Sequence, residues 1–151
     1  MNKKINISRI KGMKIKKYFT GDVILRDITA KIGTPNQVMY FVTFKTASKL
    51  SRTKLHKHTG DQILLGMDGQ GSVEYFKKTN NDKQFKIKRI SKVILKKGDI
   101  IRIPANTLHT HGSTTNKTDF SHIAINLHNK GRNVKTTWYE TDNLKITKIV
   151  K

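Results

Sequence analysis

Apolar and β-branched residues come in short runs along this chain, each closed by a cluster of turn-forming residues. Residues 37–44 (QVMYFVTF) are aromatic and β-branched, bounded by Gly33, Thr34 and Pro35 before and a Ser/Lys-rich stretch after, which predicts a strand. Further strands are predicted over 55–62, 63–67, 71–77, 85–95, 99–103 and 120–127. Turn signals separate them at Asp68 and Gly69, at Asn80, Asn81 and Asp82, at Lys97, Gly98 and Asp99, at Ala105 and Asn106, and over 129–131. No stretch carries the 3.6-residue apolar stripe of an amphipathic helix. Many short strands at close intervals imply an all-β sandwich or barrel. Residues 77–89 read as a solvent-exposed hairpin extension with a polar tip.

The 151 residues suffice for one domain with its own core, and no internal repeat or linker divides them. Residues 1–12, in which Ile5, Ile7 and Ile10 alternate with polar neighbours, are expected to form an N-terminal arm, disordered or laid along a partner subunit. Residues 13–151 then form the β domain. Barrels of this kind expose sheet edges that dimerisation covers, so a homodimer is expected.

Composition removes several function classes. The absence of cysteine excludes disulfides, thiolate zinc sites and thiol chemistry. The basic opening is followed by no apolar run, so secretion is not expected. Nothing approaches the ~18 apolar residues that cross a bilayer. A cytoplasmic protein with no membrane contact is the expectation. The formal charge is +21, but 25 lysines outnumber 6 arginines and are spread along the whole chain. Specific nucleic-acid readers concentrate arginine and interleave aromatics. A solvated basic surface is expected instead, with salt-sensitive attraction to polyanions and no specific nucleic-acid site.

The candidate chemistry lies in the histidines. His56 and His58 stand two apart with Gln62 four residues further on, and His109 and His111 form a second such pair. Imidazole and an amide carbonyl are ligands for a borderline divalent metal. Side chains at i and i+2 of a strand share a face, so His56 and His58 project together while Lys57 points away. Gln62 follows Thr59, Gly60 and Asp61, a kink that would return it to the interior. As a neutral ligand it leaves a bound ion its full charge, a stronger Lewis acid than a carboxylate would allow. There is no phosphate-cradling glycine loop and no nucleophile elbow. Ser121 and His122 are strand neighbours facing opposite ways, so they are not two members of a triad.

Two segments, TKLHKHTGDQILLGMDGQG and GDIIRIPANTLHTHG, resemble the paired motifs of the cupin superfamily. His56, His58, Gln62 and Gly69 fall in register on the first motif, and Gly98, Pro104 and His109 on the second, with Asn106 where glycine is usual. Asn tolerates positive φ better than other non-glycine residues, so the departure is mild. The resemblance covers roughly residues 18–142 and implies an all-β, double-stranded β-helix (jelly-roll) barrel. It implies one divalent metal held by His56, His58, Gln62 and His109, with manganese or iron favoured and zinc or nickel also compatible. Gln62 in place of Glu, the HTHG string of 109–112, SHIAI of 121–125, YFTG of 18–21 and WYE of 138–140 are similar to small bacterial single-domain cupins. These include manganese-dependent hydroxynitrile lyases and cupins related to carboxymuconolactone decarboxylase.

That likeness implies metal-assisted, lyase-like chemistry on a small oxygenated molecule. An iron-dependent dioxygenase and a non-enzymatic, ligand-sensing cupin stand as alternatives. His111 and His122 are the candidate catalytic residues. His111 lies too far along a straight strand to share an ion with His109, so it is read as a proton shuttle or as a hydrogen-bonding support. His122 and Asn126 share a face with small Ala124 between them, which makes them pocket-lining candidates, His122 being equally a satisfied core histidine. Tyr40 and Val42 share a face that forms either a substrate-binding wall or ordinary core. His128 is expected at the surface.

Overall fold

A computed structural model describes residues 3–33, 36–79, 87–143 and 146–149. Its strands are β1 (Phe19–Thr20), β2 (Asp22–Asp27), β3 (Gln37–Lys45), β4 (Arg52–Thr53), β5 (His56–His58), β6 (Gln62–Asp68), β7 (Gln70–Lys78), β8 (Ile87–Lys96), β9 (Ile100–Ile103), β10 (Leu108–Ser113), β11 (Phe120–Leu127), β12 (Thr136–Asn143) and β13 (Ile146–Ile149). They form two antiparallel sheets. The larger runs β1-β4-β10-β5-β12-β13, with β7 joining β10 and carrying β8; the smaller runs β2-β3-β11-β6-β9. The all-β expectation holds, and the inner faces of the two sheets enclose the core.

Alternation along the strands decides what that core contains. In β11, Phe120, His122, Ala124 and Asn126 are buried, while Ile123, Ile125 and Leu127 are half-buried on the other face. Their register partners are Phe44 and Val42 on β3 and Leu64 and Gln62 on β6. Phe44, Leu64, Val73, Leu95, Ile103 and Phe120 pack as one apolar cluster, closing one end of the barrel. Phe44 and Phe120 stack at 5.7 Å between centroids, as offset aromatic pairs do. The polar members of the same inward rows collect at the other end, and that is where the site lies.

Two turns have chemistry the sequence pattern anticipates. Gly69 joins β6 to β7 at φ 70°, where a β-carbon would also strike the Asp119 carbonyl. Asn106, in the place of the usual glycine, takes φ 62°, and its N–H donates to the His58 carbonyl at 2.7 Å. The turn before β10 is thereby tied to β5.

Several local expectations need correction. Residues 55–62 are not one strand. Gly60 presses against the Leu127 carbonyl too closely for any side chain, and the chain breaks there between β5 and β6. Strand β2 has no counterpart among the strands expected from sequence, because Val23, Ile24 and Leu25 are contiguous and show no alternation. A four-residue helix, α1 (Thr29–Ile32), follows it, and Asp27 Oδ1, two residues before it, accepts the Ala30 N–H at 3.0 Å. Residues 7–9 form a 3₁₀ turn and not a strand. Ile10 is buried, its carbonyl accepts from Arg26 Nε at 3.1 Å, and Met13 bridges to Leu25. This segment therefore rests on its own barrel. His128 is half-buried, its Nδ1 accepting the Val134 N–H at 3.0 Å, and is not a free surface group. The hairpin β7–β8 is present, while its expected tip at 80–82 and the Phe85 start of the strand lie outside the described residues. No described helix is long and apolar enough to cross a membrane.

Candidate metal centre

Three strands of the larger sheet carry the site on one inward face. Register places His109 of β10 opposite His56 of β5, and His56 opposite Trp138 of β12. Two residues along, past Lys57 and Thr137, His58 faces Thr136. These pairings bring sequence-distant residues into one cluster of contacting rings. Trp138 stacks on His56 at 4.3 Å and 25°, Tyr18 stacks on Trp138 at 4.6 Å and 19°, and His56 lies 4.2 Å from His109.

The ligand atoms of His56, His58 and His109 all lie within 4.8 Å of one another, and all three residues are buried. Each ring is oriented through its other nitrogen. His56 Nδ1 lies 2.8 Å from the Lys54 carbonyl, His109 Nδ1 lies 2.8 Å from the Thr107 carbonyl, and His58 Nδ1 lies 2.8 Å from Thr136 Oγ1. A carbonyl only accepts, so the proton of neutral His56 and of neutral His109 sits on Nδ1, leaving Nε2 as a bare lone pair. This is the arrangement by which metal-binding histidines are held. His58 Nε2 is buried with no hydrogen-bond partner. The cluster can bind a metal ion.

Gln62 sharpens this. Its Nε2 donates to Asn126 Oδ1 at 2.7 Å, from the residue directly opposite it on β11, and its Oε1 is then turned toward His109 Nε2 at 3.1 Å. With His109 protonated on Nδ1, that contact brings two acceptors face to face. A cation between them removes the repulsion; so would a proton, but burial disfavours a charged His109. The residues present therefore fit a divalent ion on an observation internal to the site.

A family model described as Cupin matches residues 31–143. The chain is a cupin. Among solved structures it is similar to a cupin-like protein from Thermotoga maritima, with 26% identity over 93% of this chain and 94% of that one and a TM-score of 0.64. A predicted oxalate decarboxylase from the same organism shares 19% identity over 83% of this chain and 98% of that one, with a TM-score of 0.60. A polyketide cyclase from Streptomyces resistomycificus shares 14% identity over 95% and 91%, with a TM-score of 0.63. The last two likenesses are of fold alone. The search of curated proteins found no match. The finer likeness to hydroxynitrile lyases rests on the sequence motifs and not on these relatives.

Electrostatics in this cupin favours neutral imidazoles. Burial pushes His58 down to about 3, His109 down to about 4 and His122 down to about 3, and holds His56 and His111 well below the ordinary histidine value. Desolvation is the leading cause in every case, and neighbouring histidines add to it for His56, His58 and His111. Neutral rings at neutral pH are what ligation requires.

A cavity of about 260 Å³ opens over the histidines. His56, His58, Gln62, His111, Tyr40, Val42 and Asn126 all contribute to its wall. His109 is not on the wall, though its ring lies 4.2 Å from His56 and its Nε2 lies 3.1 Å from Gln62 Oε1. Val42 serves the apolar core as well as the wall. His122 is not on the wall. It lies beneath His111, its Nε2 2.9 Å from His111 Nδ1, and packs its ring 5.2 Å from Phe44. His111 Nε2 and His122 Nδ1 are buried without partners.

Three contributors were not singled out from sequence. Trp138 and Thr136 position ligand rings from β12, and Arg52 spans β4, β7 and β10. The Arg52 guanidinium donates to Ser72 Oγ at 3.0 Å, the Ser113 carbonyl at 3.0 Å and Thr110 Oγ1 at 3.2 Å. It holds β10 from the face opposite to His109 and His111. An isolated arginine among basic neighbours carries no signal for that role in the sequence.

Proposed function

We propose that this cupin binds one divalent metal, manganese or iron, through His56, His58, His109 and the Gln62 carbonyl, and is a lyase-like enzyme acting on a small oxygenated organic molecule. The observation that carries the reading is the buried cluster of His56, His58 and His109, whose ligand atoms lie within 4.8 Å of one another with the Nδ1 of His56 and of His109 committed to a carbonyl. A bound ion supplies Lewis acidity toward a substrate oxygen. His111 supplies the base. With its Nδ1–H given to His122 Nε2, its buried Nε2 is bare beside the cavity and can take a substrate proton. The resulting imidazolium charge is eased by the Nδ1–H bond to His122 at 2.9 Å, and desolvation of the pair favours return of the Nε2 proton to product. Tyr18, Phe19 and Trp138 present an apolar wall that limits water and orients the substrate body.

Metal analysis of protein purified without a histidine tag tests the site. One ion per chain is expected, lost in a His56→Ala/His58→Ala variant that keeps its β-sheet circular dichroism. Stoichiometric metal in that variant would sink the assignment. For the chemistry, His111→Ala should keep its metal and lose about 10²–10⁴-fold in turnover of cyanohydrins or β-nitro alcohols. Oxygen uptake on phenols or diketones in place of that turnover would assign a dioxygenase. No turnover at all by metal-loaded protein would assign a ligand-binding cupin.

A further inference from the structure

The cavity is electrostatically unlike the rest of the molecule. The chain has 31 lysines and arginines against 10 acidic residues, yet among the described residues no lysine or arginine lines the cavity. Its one acidic wall residue among the described residues is Asp27. This side chain ends β2 in register with Tyr40 of β3, so a carboxylate and a phenol stand together on the smaller sheet, facing the histidine rows of the larger one.

Asp27, Asp68 and Asp99 are the acids with no ion pair among the described residues, and of these Asp27 alone lines the cavity. Asp22, Asp61, Glu74 and Asp119 each have a lysine or arginine within ion-pair distance. Asp27 has none among the described residues. Its Oδ1 is fixed by the Ala30 N–H at 3.0 Å, which sets the carboxylate in place and leaves Oδ2 uncommitted. Burial, and then the nearby Asp27 charge, push the Tyr40 phenol up, which keeps it a neutral hydroxyl. In a chain with a threefold excess of cationic side chains, the acid on the cavity wall has no cation partner among the described residues. A ligand group can supply it.

We propose that the cavity selects molecules with an apolar, preferably aromatic, body and a cationic amine, the amine being received by Asp27 and Tyr40. The body lies against the Tyr18 and Trp138 rings, and the opposite end reaches the histidines. The inference rests on reading this cavity as the substrate site, but the amine subsite is on the other sheet from the three histidine ligands. The field of the whole protein runs the other way, since a net charge of +21 attracts anions and repels amines. A preference for the amine would therefore have a local origin.

Trp138 is the sole tryptophan and lines the cavity, so its fluorescence reports occupancy. The probes are 2-phenylethylamine, 2-phenylethanol and phenylacetate, near-isosteres that differ in charge, titrated at moderate salt into full-length protein. The amine is expected to bind about tenfold or more tighter than the alcohol, as a charge-assisted hydrogen bond allows, and phenylacetate weakest. Asp27→Asn keeps an oxygen to accept the Ala30 N–H and should abolish the amine's advantage while leaving the alcohol unchanged. The same order is expected in the His56→Ala/His58→Ala variant, where a carboxylate cannot gain from a metal. Failure of metal binding thus leaves the charge order to be measured by itself. Equal or tighter binding of phenylacetate in that variant, an undiminished amine preference in Asp27→Asn, or no Trp138 response to any probe would overturn the proposal.

Discussion

Metal-free protein should be acid-labile over a window set by its buried histidines. An unfolded histidine titrates near 6.5, whereas His58, His109 and His122 titrate at about 3, about 4 and about 3 in the fold. Folded values below the unfolded one mean that the stabilising contribution is complete above pH 6.5. It is lost as pH falls from 6.5 toward the folded values, because only the unfolded chain takes up protons there. At pH 5 each of the three rings costs about 2 kcal/mol relative to alkaline pH, and the three together about 6 kcal/mol. His56 and His111, also shifted well down, act in the same direction. A domain of this size has about 5–15 kcal/mol in total, so chelator-treated protein should unfold cooperatively near pH 5. Urea titrations at pH 7.5, 6 and 5, followed by circular dichroism and by Trp138 fluorescence, measure the slope directly. A metal-loaded sample should hold out to lower pH, since the ion binds only the fold. Stability unchanged between pH 7.5 and 5 in the metal-free protein would refute the claim that these rings are buried and neutral.

Three further outcomes follow from the packing. Asn126→Leu removes the acceptor that turns the Gln62 carbonyl toward His109, and metal affinity should fall about 10–100-fold in a competition titration with little change in melting temperature. Phe44→Ala empties the centre of the apolar cluster and should cost about 3–5 kcal/mol in urea unfolding, while a cost under 1 kcal/mol would place Phe44 outside the core. Light scattering is expected to report a dimer that survives removal of residues 1–9, because Ile10 and Met13 are already seated on their own barrel. A monomer at every salt concentration would rule out that assembly.

What was legible in the sequence was what the chain encodes locally. His56 and His58, or His109 and His111, need only the two-residue period of a strand to share a face, and the spacing to Gln62 needs only one kink. Asn106 is likewise readable, because a left-handed turn residue is a property of one position. Register is not local. The stack of Trp138 on His56 and the contact of Thr136 with His58 join residues about eighty positions apart through pairing of β12 with β5, and no spacing in the chain predicts it. The separation of His122 from the wall has the same origin. Alternation puts it on the inner face correctly, but only the packing of Phe44 and the bond to His111 decide that it lies beneath that residue. Strand β2 was missed because a run of three apolar residues between two aspartates has no period to read.

Strand β10 pairs with β4, β5 and β7, and the same six residues carry His109 and His111. A chain that closed the barrel one residue out of register would turn Leu108, Thr110 and Gly112 inward and send both imidazoles outside, with backbone hydrogen bonding largely intact. Such a product would look folded to circular dichroism and be unable to take up an ion at His109. If the proposed ion binds, its uptake would therefore distinguish a correctly threaded β10 from a slipped one. Ion supplied during refolding would then draw molecules toward the one alignment that can hold it, and the fraction of chains that load afterwards would count the correctly threaded barrels.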